Sequence, residues 1–225
     1  MMFSLKYSGL PAAAILGLTL GLTLGLAPQA QANDCTCLAA HVDNPVELVS
    51  QEVMQAMAER FGPEDATFEP NFDPDQSGGR YEFSIPLGEF EHSDRGVTRR
   101  WIQQQHVELV QMMSREQMES QIESAGEEAM QALGIEPGDD VLAAFARMPR
   151  GPQGGPYDYQ EVDGPGDLAL QHSSPEILVV VCGDALIEVS AGQTHEVPDN
   201  APEIMRVSQQ DVMVAFAEKL IAHCP

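Results

Sequence analysis

The sequence predicts an α+β fold: one domain, built as a mainly antiparallel sheet packed by helices. Three observations carry that expectation. From Tyr81 to Leu87 apolar side chains alternate with polar ones, the period-two signature of a half-buried strand. Ile177 to Val181 is a continuous apolar run, followed by Gly183-Asp184 and a second strand-like stretch from Ala185 to Ser190. Between and beyond these lie segments with helix-capping residues and apolar side chains at helical spacing.

The first element, residues 1–32, reads as a signal peptide. Lys6 gives a charged start, Ala12 to Ala27 an apolar run, and Ala30-Gln31-Ala32 the small-x-small pattern that a signal peptidase cuts. The run falls short of the roughly 20 residues a spanning helix needs. Residues 33–225 are then a single exported domain with no later membrane span. Asn33-Asp34 ahead of Cys35 do not suit a lipid anchor, which wants small or apolar residues there.

Asn44-Pro45 predicts a helix start, and Val46, Val49, Val53 and Met57 share one helical face up to Gly62-Pro63. Residues 66–69 are a short strand candidate. Residues 80–90 predict a strand and Ser93-Asp94-Arg95-Gly96 a turn. The stretch 97–112 suits a returning strand by its Thr, Trp, Ile and Val content. Ile102, Leu109 and Met113 would also share a helix face; the hairpin is the preferred reading.

Ser114 with Gln117 predicts a capping box, and Met118, Ile122, Ala125, Ala129 and Leu133 extend that helix to Gly134. A shorter helix is expected from Gly138 to Met148, and a Gly/Pro-rich loop over 149–166. Gly166 to Leu170 leads into a short strand, then comes the 177–190 hairpin. Residues 191–204 form a polar loop, and Ser208 caps a last helix to His223 with Val212, Phe216 and Leu220 on its apolar side.

The charge is lopsided. In 225 residues there are 35 Asp+Glu against 11 Lys+Arg, a formal net charge of −24. That excludes an electrostatic nucleic-acid binder, because neutralising phosphates takes clustered Lys and Arg. It also argues against docking on an anionic membrane surface. The acids are spread along the whole chain, which reads as adaptation to a saline medium in preference to a cation-binding role.

All four cysteines, Cys35, Cys37, Cys182 and Cys224, follow the leader, and an even count in an exported chain predicts two disulfides. A Cys35–Cys37 bridge would close too tight a loop. The two pairings that tie Cys35 and Cys37 to Cys182 and Cys224 are expected, and the sequence does not choose between them. The chain-entropy model gives about 5 kcal/mol for one such loop. The competing reading of Cys35-Thr36-Cys37 with His41 is a soft-metal site for Cu(I) or Zn.

Gly166-Asp167-Leu168-Ala169, the Val179-Val180-Val181-Cys182-Gly183-Asp184 hairpin with Glu188-Val189, and Ala217-Glu218-Lys219-Leu220 form a layout that resembles small exported α+β domains of bacterial envelope proteins. These include the PsbP/Mog1-like group and actinobacterial lipoprotein domains. The resemblance implies an antiparallel sheet backed by helices and a non-enzymatic role. It brings no catalytic residue across.

The best candidate for chemistry is Asp73-Pro74-Asp75-Gln76-Ser77-Gly78, with Glu82 beyond it. Oxygen donors on Asp73, Asp75, Ser77 and Glu82, with a glycine for the turn, suit a hard cation such as Ca²⁺. The register departs from an EF-hand loop. Counted from Asp73, Ser84 takes the twelfth place; counted from Asn71, Gln76 replaces the glycine. A plain acidic hairpin loop is the simpler reading.

Hydrolase motifs are missing: there is no Gly-x-Ser-x-Gly, His-Glu-x-x-His or phosphate loop. His92 near Asp94, and His195 beside Glu196, are candidate acid/base pairs. Trp101 beside Arg99 and Arg100 is the one basic-aromatic spot, readable as a partner or anionic-ligand site or as a strand residue whose arginines answer nearby acids. The expectation is therefore a periplasmic or extracellular acidic protein that binds a protein or small molecule. Ca²⁺ binding through residues 71–82 is the alternative, and a hydrolase the third reading. Beyond possible Ca²⁺, no cofactor is implied.

Overall fold

Six strands form the sheet: β1 (Tyr81–Asp94), β2 (Val97–Ser114), β3 (Tyr159–Glu161), β4 (Leu168–Ser173), β5 (Glu176–Cys182) and β6 (Ala185–Gln193). Their spatial order is β1-β2-β6-β5-β4-β3, and every neighbouring pair is antiparallel. The long β1–β2 hairpin thus joins a four-stranded meander through its β2 side. The computed structural model describes residues 35–63, 81–94, 96–126, 130–131, 135–136, 138–148, 159–173, 176–195, 197 and 203–224. The leader, the strand candidate at 66–69 and most of the acidic loop lie outside them.

Period-two alternation sorts the strand residues onto two faces. On the first, Phe83, Ile85, Leu87, Val107, Leu109, Leu178, Val180, Ile187 and Val189 are buried against helices α1 (Gln51–Phe61) and α4 (Gln209–Ala222). On the second, Leu170, Val179, Val181 and Leu186 meet Met118 of α2 (Arg115–Ala125) and Val141 and Leu142 of α3 (Val141–Ala146). Helices on both faces explain why β5 reads as an unbroken apolar run: neither side of it meets water. Glu188, on the same side of β6 as Leu186, is buried for the same reason.

Several boundaries differ from the sequence expectation, each for a local reason. The first α-helix starts at Gln51, because Ser50 accepts from the Val53 N–H and Asn44 makes no side-chain cap. Pro45–Glu47 is a separate 3₁₀ turn. The Ser114/Gln117 capping box is present, yet α2 ends at Ala125, where Gly126 adopts φ +84° and breaks the run expected to reach Gly134. The helix expected from Gly138 begins at Val141 under an Asp140 cap. The stretch 97–112 is strand throughout. The Gly/Pro-rich segment carries a strand, β3, paired along β4, and β6 runs on to Gln193, into the expected polar loop.

Two disulfides close the body: Cys35–Cys182 and Cys37–Cys224, with Cα–Cα separations of 5.2 Å and 5.7 Å. This settles the pairing. It also removes the soft-metal reading, since Cys35 and Cys37 are both bridged and no free cysteine remains. The turn beside the first bridge demands glycine. Gly183 sits at φ +59°, its N–H donates to the Asp167 carboxylate at 2.7 Å, and an added Cβ would lie 3.2 Å from Cys35 Cβ. Gly166, at φ +84°, passes so close to β5 that a Cβ would lie 2.5 Å from the Val181 carbonyl oxygen. Among the described residues no helix is long and apolar enough to cross a membrane.

Candidate functional site

Unequal strand lengths leave part of β2 with no described strand along one edge. β6 pairs with β2 only over Gln105–Ser114, so residues 97–104 pair with β1 and with no other described strand. The Thr194 N–H donates to the Gln104 carbonyl at 3.1 Å where β6 peels away. Backbone groups alternate sides along a strand, so Arg100 and Ile102 turn theirs to the same side as Gln104, where no described strand continues the pairing.

A groove of about 630 Å³ runs along this edge, lined by Arg99, Arg100, Trp101, Ile102, Gln104, Thr194 and His195. Trp101 is half-buried, with Phe90 at 6.0 Å and His195 at 4.1 Å between ring centroids. Ile102, 55% exposed, is the one large hydrophobic left in solvent among the described residues. The outgoing chain is pinned to β2 by fully buried glutamines. Gln103 Nε2 donates to the His195 carbonyl at 3.0 Å and to Gln193 Oε1 at 3.2 Å, and Gln105 Nε2 donates to the Gly192 carbonyl at 2.8 Å. Buried amides rarely forgo such bonds, so they fix Thr194 and His195 against the strand.

The groove brings two arginines together on a strongly negative protein, with Glu89 and Glu91 of β1 opposite Ile102 and Arg100. Arg100 forms an ion pair with Glu89 of β1. Arg99 is exposed and has no carboxylate partner among the described residues. Trp101 is a strand residue partly in the core, and one of its two neighbouring arginines answers an acid, as the second reading of this spot expected.

Beside the groove, on the second face, lies a polar cluster that the sequence reading missed. His106 Nδ1 lies 3.0 Å from Glu82 Oε1 and 2.9 Å from Ser84 Oγ, and its Nε2 lies 3.1 Å from Thr194 Oγ1. A carboxylate, an imidazole and a hydroxyl in line are the parts of an acid–base relay. Here the Thr194 hydroxyl donates onward to the Gln104 carbonyl at 3.3 Å. The chain of bonds therefore ends on backbone, which suits it to anchoring β6 to β2. Cross-strand register could have exposed the cluster, since Ser84 faces His106 and Glu82 faces Glu108, but that register depends on the bulge between Pro86 and Gly88.

Of the cation-site candidates, Asp73, Asp75 and Ser77 lie outside the described residues. Glu82 is on β1 and engaged by His106. No group of three His, Cys, Asp or Glu side chains is placed to hold a metal among the described residues. His41 pairs with Glu47 at 3.1 Å. The side chains of His92 and Asp94, and Glu196 beside His195, fall outside the description; His195 instead meets Trp101.

No family model, curated protein or solved structure matches this chain.

Proposed function

We propose that this is an exported protein of the periplasm or extracellular space that acts by binding, not catalysis, through the groove on the β2 edge. The supporting observation is a single coincidence in space. Arg99, with no acid partner among the described residues, the chain's only tryptophan and Ile102, the one exposed large hydrophobic among the described residues, meet where β2 has no second described strand beside it. Binding sites combine an apolar floor with a few placed polar groups in this way. The leader pattern and the two disulfides support export. The ligand such a site selects is anionic with an apolar part. The net charge opposes an anion at long range, but at physiological salt fields decay within about 8 Å, so the groove's own charges decide.

Trp101 reports on the site without a label. A short peptide bearing Leu and Asp side chains should shift its emission saturably, and Arg99→Glu should weaken that binding by about tenfold, or about 1.4 kcal/mol. A flat titration, or equal affinity for a Lys-for-Asp peptide, would overturn the reading.

A further inference from the structure

We infer that the groove takes its partner as an added β-strand, an extended peptide carrying two adjacent apolar and two adjacent acidic residues that pairs with the edge of β2 beside which no described strand lies. This rests on the binding function proposed above and adds its mode and its partner class.

The backbone makes the first part of the argument. In the β1–β2 hairpin the odd positions of β2 bond toward β1, starting from the Asp94↔Val97 pair. The even positions face the other way, as the Thr194–Gln104 bond shows at 3.1 Å. Arg100 and Ile102 thus offer N–H and C=O groups in strand geometry with no described strand opposite. Such edges pair readily with another extended chain. The outer strands carry familiar protections: β1 has Pro86 and a bulge, and β3 is only three residues long. The stretch from Arg99 to Gln104 has neither a proline nor a bulge.

Side chains supply the selectivity. Alternation puts Arg99 and Trp101 on one face of the edge and Arg100 and Ile102 on the other. Each face therefore has a guanidinium two residues from an apolar surface; Arg99 has no acid partner among the described residues, whereas Arg100 is already held by Glu89, whose place an incoming carboxylate has to share. A strand laid alongside sends successive side chains to opposite faces, so it satisfies both when two neighbouring residues are apolar and the next two acidic. A strictly alternating order would place both apolar side chains on one face and both acids on the other.

The test uses the processed, disulfide-intact protein and a blocked hexapeptide Ser-Leu-Leu-Asp-Asp-Ser, read by Trp101 emission. Two twins are made, N-methylated at alternate backbone positions, one on each edge of the peptide strand. Strand addition expects one twin to lose at least tenfold in affinity and the other to bind like the parent, because only one edge meets β2. It also expects the alternating order Leu-Asp-Leu-Asp to bind several-fold more weakly. Equal binding by both twins, or equal loss from both, overturns strand addition and leaves the groove-binding function standing. No response to the parent peptide overturns both.

Discussion

Asp140 shows how one side chain can serve two structural ends. One oxygen accepts from the Ala143 N–H at 2.9 Å and caps α3; the other accepts from Arg115 at 3.0 Å. Arg115 also donates to Asp184 in the β5–β6 turn at 2.9 Å. The backbone bond from Ala143, helped by the Arg115 guanidinium and opposed by partial burial, holds the Asp140 carboxyl below its ordinary range. The hydrogen bond that Arg115 donates to Asp184 leads in holding the guanidinium's pKa above its ordinary value. A depressed carboxylate stabilises the fold above its unfolded pKa, and that contribution is lost as pH falls through the folded value. Asp140→Ala should cost about 1 kcal/mol at neutral pH, the worth of a cap. The gap to the parent should narrow as pH drops through the carboxylate range. Urea midpoints at several pH values measure this, and a gap that stays constant into acid would refute it. The ion pairs themselves add little, because Asp140 and Asp184 are half or more exposed. At this scale the Ser114/Gln117 and Ser208 caps were readable from sequence, because the cap and its bonded N–H are three residues apart. Asp140 was missed because Gly138-Asp139-Asp140 offers two candidate acids in a row, and Asp139 turns back to the Glu136 N–H instead.

Among the elements, α4 carries the first face of the sheet. Its Val212, Phe216 and Leu220 are fully buried, and Phe216 meets Phe83 of β1 edge-on at 5.4 Å between centroids. Phe216→Ala should cost about 3–5 kcal/mol, read from the denaturant midpoint, because a rigid core does not close over so large a void. A loss under 1 kcal/mol would mean that the helix packs loosely. Strands whose alternation or apolar run is strong were legible: β1, β5 and β6 all follow the pattern. β2 was ambiguous because Ile102, Leu109 and Met113 fit a helix face, while the deciding fact, Gln103 and Gln105 buried in line with Val107, concerns residues that look exposed on paper. β3 had no signal at all; three residues of Tyr159-Gln160-Glu161 become a strand only because β4 lies beside them. The same limit applied to the groove. Arg99, Arg100 and Trp101 stood out by composition, but Ile102, Gln104 and Thr194 joined them only through a mismatch between an 18-residue β2 and a nine-residue β6. Strand-length mismatch is a property of pairing, not of any local stretch.

For the whole molecule, the cross-links matter most. Cys35 and Cys37 sit one residue apart yet reach the end of β5 and the residues after α4, across sequence separations of 147 and 187. The cysteine count foretold two bridges between the N-terminal and C-terminal parts. Which went where depended on Cys35 resting over the Gly183 turn, a contact the sequence does not encode locally. Replacing Cys37 and Cys224 together by Ala should lower stability by about 2–5 kcal/mol. The sheet should persist, since neither cysteine lies on a strand and Cys224 only packs against the margin of the core. Calorimetry with far-ultraviolet circular dichroism checks both parts; an unchanged melting temperature would refute the first.

The Cys37–Cys224 link has a mechanical meaning as well. A tug applied to the chain ahead of residue 37 and beyond residue 224 travels straight through one sulfur–sulfur bond. Nothing between those positions is loaded, so the strands cannot be unzipped in sequence by such a pull. Stretched in that direction, the domain behaves as an inextensible knot until the bond is chemically cut.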